Sequence, residues 1–309
     1  MRSSRTGPRG PRGLGWLLAV GLALPGPAFA QVRGRVLLIG IDGVRPDVLA
    51  AAATPNLDAL AEAGYFNSRA QTTSRTVSGP AWSSMLTGVW PEKHGVLSND
   101  FNGNSLSAYP DFLTRAERNS GGAHTLAAVT WAPLVTVADG GPVLSAAIDE
   151  RILVNGDSVG WPEADSIIAR LAAERLARDD LDAVFVYLGN PDVVGHDTGS
   201  LSAEYRAAIE AADRHVGVLL DALRRRAGYP GEHWLVLVST DHGRRDDGGH
   251  GQPSSLERTI FVIGFGPGVG PARVADTPGI VDIAVTALTH LGVTIRADWR
   301  LDGADLFRR

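Results

Sequence analysis

Four short stretches of the chain are continuously apolar: residues 36–41, 184–188, 234–238 and 260–263. A strand with one wet face alternates polar and apolar side chains, so unbroken runs of this length predict strands buried on both faces. Between them, apolar residues recur at helical spacing. The clearest stripe joins Tyr205, Ile209, Ala212, Val216, Leu219 and Leu223, one face of a helix. Arg224, Arg225 and Arg226 follow, where cations favour the helix dipole, and Gly228 suits the stop. Ile168, Leu171 and Leu176 mark a second helix, and Ile280, Ile283, Ala284 and Leu288, with the adjacent His290, a third. Strands alternating with helices predict an α/β fold, a mostly parallel central sheet with helices on both faces. The Gly/Ser/Asn-rich stretch 98–107 reads as a surface loop.

Composition adds an address. At 309 residues the chain sits near the upper limit of what one hydrophobic core serves, so residues 31–309 are expected to form a single domain. Arg2, Arg5, Arg9 and Arg12 precede an apolar run at 14–24 and the small-residue triplet Ala28-Phe29-Ala30. That order predicts a signal peptide over residues 1–30, with cleavage before Gln31. The run is shorter than the roughly 20 apolar residues a spanning helix needs, so an exported protein, periplasmic or secreted, with no membrane span after signal removal is expected. Hydrophobic residues at 44% and charged residues at 20% fit a folded globular chain. There is no cysteine, which excludes disulfides and thiolate metal sites and leaves oxygen and nitrogen as the donors for any metal. The net charge of -5 includes the basic leader, and no basic stripe points to a stable nucleic acid partner.

In an open parallel sheet, ligands bind beyond the carboxyl ends of the strands. The run at 36–41 leads to Asp42, that at 184–188 leads through Gly189-Asn190-Pro191 to Asp192, and that at 234–238 leads to Asp241-His242. Any one of these aspartates could simply cap a following helix. Three at one edge, two of them accompanied by histidines, form a chelating set. Asp192 and His196 stand four apart, on one face of a helical turn. His250, in Gly248-Gly249-His250-Gly251, follows closely enough for flexible backbone to turn its ring back over the sheet edge. His124, His215, His233 and His290 sit in no such cluster and read as structural. Ser78 precedes Gly79-Pro80 at the start of a short helical pattern. It reads either as an N-cap or as a hydroxyl nucleophile at the positive end of a helix.

Four segments carry a resemblance: Ile41-Asp42-Gly43-Val44-Arg45-Pro46-Asp47; the Ser78 segment running into Thr87-Gly88-Val89-Trp90-Pro91-Glu92-Lys93-His94-Gly95-Val96; Pro191-Asp192-Val193-Val194-Gly195-His196; and Thr240-Asp241-His242-Gly243. In this order they resemble the type I phosphodiesterase/nucleotide pyrophosphatase branch of the alkaline phosphatase superfamily. The resemblance implies an alkaline phosphatase-like three-layer sandwich and two divalent metal ions, zinc or alternatively manganese. Asp42, Ser78, Asp241 and His242 would hold one ion, and Asp192, His196 and His250 the other. Ser78 stands where threonine is commoner and would be the nucleophile, and Asn99 would bind a phosphoryl oxygen. His94 is expected to be structural. Tyr187 matches a tyrosine that stacks on a nucleotide base, whereas Gly79 stands where the partner aromatic residue would be. His250 departs from the pattern, because the equivalent histidine lies much further downstream.

The implied reaction is hydrolysis of a small-molecule phosphate ester through a phosphoseryl intermediate. A monoester carries one more negative charge than a diester and calls for an extra cation near the nucleophile. Lys93 and Arg75 read as surface charges, and neutral Asn99 with compact Gly79 leaves room for a second ester group, so a phosphodiesterase is expected. A monoesterase or a sulfatase-like hydrolase of the same fold is the alternative, although Trp82 stands where a sulfatase motif has arginine. A catalytically inactive exported metal- or ligand-binding protein is the alternative of another class.

Overall fold

The computed structural model describes residues 34–136, 142–271 and 277–307, preceded by four separate positions, Met1, Ser4, Gly7 and Gly10. The expected signal peptide lies, apart from those four positions, outside the described residues, as does its cleavage point. Seven strands form one sheet: β1 (Gly34–Ile41), β2 (Tyr65–Gln71), β3 (Thr125–Val129), β4 (Glu150–Leu153), β5 (Ala183–Leu188), β6 (His233–Ser239) and β7 (Thr259–Phe265). Their spatial order is β2-β7-β6-β1-β5-β3-β4. The four apolar runs correspond to β1, β5, β6 and β7. Pairing is parallel from β6 through β1, β5 and β3 to β4, while β7 runs antiparallel to both β6 and β2. The sheet is therefore mostly parallel, as expected.

Seven helices of eight residues or more are found among the described residues: α1 (Pro55–Ala63), α2 (Ser78–Thr87), α3 (Phe112–Asn119), α4 (Trp161–Arg178), α5 (Asn190–Thr198), α6 (Ala203–Arg224) and α7 (Asp282–His290). Successive side chains of a strand point to opposite faces, and β1 divides its apolar residues accordingly. Val36 and Leu38 join one core with Trp82 and Met85 of α2, Phe112 of α3 and Ile283 of α7. Leu37, Ile39 and Ile41 join a second core with Leu57 of α1, Ile168 of α4 and Val216 of α6. This gives three layers, helix on sheet on helix. None of the described helices is long and apolar enough to cross a membrane.

The antiparallel course of β7 matters for the site. A parallel return would need a crossover to the far end of the sheet. Because β7 instead starts where β6 ends, the connecting segment 240–258 stays at the carboxyl edge of β1, β5 and β6, and His250 stays there with it.

Candidate active site

Asp42 follows β1 directly and is 1% exposed. Its Oδ2 accepts hydrogen bonds from the Trp82 indole Nε1 (2.9 Å) and the Tyr187 hydroxyl (2.6 Å). Its Oδ1 is buried without any hydrogen-bond partner, as is Oδ2 of Asp241. Both oxygens face the His242 ring, whose Nε2 lies 3.6 Å from Asp42 Oδ1 and 3.3 Å from Asp241 Oδ2. The Gly243 carbonyl can only accept, so the 2.9 Å contact to His242 Nδ1 puts the ring proton there and leaves Nε2 as a lone pair. Buried acceptors that converge without a donor are costly, and this oxygen-and-nitrogen set fits a divalent cation. Without a cation, burial, reinforced by the Asp192 charge, pushes the Asp42 carboxyl up to about 7. Burial and the Asp42 charge raise Asp241 well above the usual carboxylate range, and burial holds His242 well below the ordinary imidazole value.

Ser78 is the first residue of α2, with Val77 at the N-cap and no side chain capping the helix. The N-cap position is thus Val77, and Ser78 does not act as a cap. Ser78 is 6% exposed and its hydroxyl lies 3.3 Å from His242 Nε2, so it points into the Asp42/Asp241/His242 cluster. The next backbone N–H, from Gly79, donates to Asn99 Oδ1 (2.7 Å). Asn99 is exposed, and with its oxygen engaged its amide N–H groups are available beside Ser78. The space expected at Gly79 is filled: a Cβ there would lie 2.5 Å from the Ser98 carbonyl oxygen.

The second cluster lies nearer solvent. Asp192 falls in the first turn of α5 and His196 one turn on, its Nε2 3.5 Å from Asp192 Oδ2. The Asp165 carboxylate of α4 accepts from the Gly189 and Asn190 N–H groups at 2.9 Å each and sets the start of α5. His250 lies against His196 with the two Nε2 atoms 2.8 Å apart, and 3.7 Å from Asp192 Oδ1. Its Nδ1 donates to the Thr76 carbonyl (2.6 Å), which leaves Nε2 as a donor atom for a cation. The Thr76 hydroxyl donates to Gln252 O and accepts from Gly251 N–H, both at 2.8 Å, so the segment entering Ser78 is tied to the loop bearing His250. The His242 and His250 rings stack at 3.8 Å. Ligand atoms of Asp42, Asp241 and His242 lie within 4.8 Å of one another with the Ser78 hydroxyl beside them, and so do those of Asp192, His242 and His250, with His196 against His250.

Tyr187 does not offer a stacking face. It is 2% exposed, its hydroxyl is on Asp42, and its ring packs edge-on to Trp82. The partly exposed ring beside it is Trp131, stacked at 6.3 Å. Lys93 is engaged with Asp302 and the Arg300 carbonyl, Arg75 is exposed, and His94 is fully buried. Trp82, Asp165 and Arg244 were not expected at the site. For Arg244 a signal existed, since it lies between the ligand candidates Asp241-His242 and His250.

A seven-stranded sheet in three layers, with this donor set at its carboxyl edge, is the architecture of the alkaline phosphatase superfamily. Within it, the family model for type I phosphodiesterase / nucleotide pyrophosphatase matches residues 36–246, and the chain belongs to that family. The matched segment includes every site residue named above except His250. Human ectonucleotide pyrophosphatase/phosphodiesterase family member 7 is 28% identical over 249 residues, covering 74% of this chain and 52% of the relative. The 2,3-bisphosphoglycerate-independent phosphoglycerate mutase of Shewanella amazonensis is 27% identical over 258 residues, covering 78% and 48%. The chain spans about half the length of these curated relatives. Among solved structures, the phosphonate monoester hydrolase of Agrobacterium radiobacter superposes with a TM-score of 0.67 at 18% identity, covering 89% of this chain and 76% of that one. Murine ectonucleotide pyrophosphatase / phosphodiesterase 5 superposes at 0.63 and 16%, covering 84% and 95%. These two likenesses establish the fold.

Proposed function

We propose that this chain is a metal-dependent phosphoric ester hydrolase that prefers small phosphate diesters and uses Ser78 as its nucleophile. The observation that carries the reading is the Ser78 hydroxyl at the start of α2, 3.3 Å from His242 Nε2 and aimed at two buried carboxylate oxygens that have no other partner. Bound there, two divalent cations, zinc or manganese, would favour the ionised serine hydroxyl and stabilise the departing oxygen. Asp42, Asp241 and His242 would hold one cation and Asp192, His196 and His250 the other.

The residues of the chain supply position and selectivity. Ser78 Oγ attacks phosphorus as the bond from phosphorus to the leaving alcohol oxygen breaks, and carries the covalent phosphoryl ester until water attacks phosphorus and returns the serine hydroxyl. The Gly79 N–H fixes the Asn99 oxygen, so the amide nitrogen is turned toward a phosphoryl oxygen and offers a neutral donor. No Lys or Arg is hydrogen-bonded to Ser78 or Asn99 among the described residues. The extra charge of a monoester therefore finds no matching cation there, which favours the diester. A panel of aryl phosphate diester, phosphate monoester, phosphonate and sulfate esters on the metal-loaded protein tests this. The diester is expected to turn over fastest, and a monoester hydrolysed far faster than the matched diester would overturn the preference.

A further inference from the structure

Arg244 is the largest fully buried charged side chain among the described residues, with 0% exposure. Its guanidinium reaches three acceptors from three segments. Nη2 donates to Asp192 Oδ1, Nη1 to the Gly248 carbonyl (2.6 Å) and Nε to the Gly43 carbonyl (3.1 Å). The Tyr205 ring lies beneath it at 5.7 Å, and the Tyr205 hydroxyl donates to the same Gly43 carbonyl (2.6 Å). Each acceptor adjoins a member of the site: Gly43 follows Asp42, Gly248 precedes His250 by two, and Asp192 is itself a candidate ligand. The chain makes room for this group. A Cβ at Gly195, beside His196, would lie 2.3 Å from Nη1, and one at Gly43, where φ is +64°, would lie 2.8 Å from Nη2.

A buried guanidinium needs both a counter-charge and filled donors, and its planar fork fixes the direction of every bond it makes. Here the counter-charge is Asp192 Oδ1, which also lies 3.7 Å from His250 Nε2, while Oδ2 is on the His196 side. Arg244 touches neither Ser78 nor Asn99, and its donors are turned to protein acceptors, so it is not placed to neutralise a substrate.

We propose that Arg244 is a positioning residue for the Asp192/His196/His250 half of the site: by holding Asp192 Oδ1 and the Gly43 and Gly248 carbonyls, it presents one oxygen of Asp192 to the cation and fixes the loop that carries His250. This rests on the two-cation reading. The test is a zinc titration of the purified full chain against a fluorescent chelator, for the wild type, Asp192→Ala, Arg244→Ala and the double variant. Asp192→Ala is expected to weaken the binding of one of two cations, with a residual affinity that the titration still reads. Arg244→Ala is expected to weaken that same cation about 10- to 100-fold, as loss of a ligand's supporting partner does, while the other stays within about threefold. The double variant should bind as Asp192→Ala alone does, because the two changes act on one interaction. Arg244→Lys keeps the charge and loses the fork, and should remain at least about fivefold weaker than wild type; it carries the same cycle if Arg244→Ala does not fold by circular dichroism. Equal weakening of both cations, additive losses in the double variant, or full recovery with lysine would each overturn the proposal. A wild type that binds fewer than two cations would instead remove the two-cation reading on which it rests.

Discussion

Asp42 is held by two donors on one oxygen, the Trp82 indole and the Tyr187 hydroxyl, while its other oxygen has none. Without a cation this is an unfavourable place for a charge, which is why burial raises the carboxyl from 3.8 to about 7. The sign follows from linkage: the folded chain holds a proton that the unfolded chain has released, so the contribution of Asp42 to stability falls as pH rises from about 4 to about 7. At pH 8 in chelator, Asp42→Asn should therefore melt higher than the wild type, since an amide oxygen can still accept from Trp82 and Tyr187. In zinc the order should reverse, because the variant has lost an anionic ligand. Melting curves of both proteins in both buffers check this, and a variant that melts lower under both conditions would contradict it. Of these residues Asp42 was legible in the sequence because it ends an apolar strand. The duties of Trp82 and Tyr187 were not, since each depends on a partner at least 40 positions away in the chain.

Two helices present three of the site residues, Ser78 on α2 and Asp192 and His196 on α5, and each helix is braced from outside. Helix α2, which begins with Ser78, is supported by His94: Val96 N–H donates to His94 Nδ1 (3.1 Å), so the ring proton is on Nε2 and is donated to Ser84 Oγ (2.9 Å). Ser84 in turn donates to the Pro80 carbonyl (2.9 Å). Burial lowers the His94 pKa from 6.5 to about 4. The unfolded chain takes up that proton first, so His94 contributes stability that is complete above about pH 6.5 and is lost as pH falls toward 4, roughly 3 kcal/mol in all. In the zinc-loaded protein, calorimetry of wild type and His94→Gln should show a shallower acid-side loss in the variant; identical slopes would contradict the assignment. Helix α5 is braced by Asp165, which accepts from both backbone groups at its start and from the Thr130 hydroxyl (3.0 Å). Asp165→Ala strands those donors, and a loss of about 2–4 kcal/mol is expected from the unmet hydrogen bonds. Weaker binding of the cation assigned to Asp192 and His196 should accompany it. Denaturant unfolding and the zinc titration measure the two effects, and an unchanged titration would mean that α5 keeps its place without Asp165.

At the scale of the whole molecule, the site runs from a buried floor to an exposed mouth. Asp241 and His242 have no exposure, His250 is partly covered, and His196 and Asn99 are exposed. The layers and this edge were legible because β1, β5 and β6 are apolar on both faces and end in the ligand segments. The strands that were missed carry weaker patterns. In β2, Tyr65–Gln71, buried and exposed positions mix, and β4 (Glu-Arg-Ile-Leu) has no fully buried residue, while β3 is a short run built around two alanines. The antiparallel course of β7, which keeps His250 at the site, is a matter of pairing that no local pattern records. Hydrolysis at this site turns on the chemistry of Ser78. The most direct measurement is hydrolysis of an aryl phosphate diester by wild type and Ser78→Ala, both loaded with zinc and matched for bound metal. A loss of at least about 1,000-fold in kcat is expected with the melting temperature nearly unchanged, whereas a variant that turns over the diester at a near-normal rate would contradict the role of Ser78.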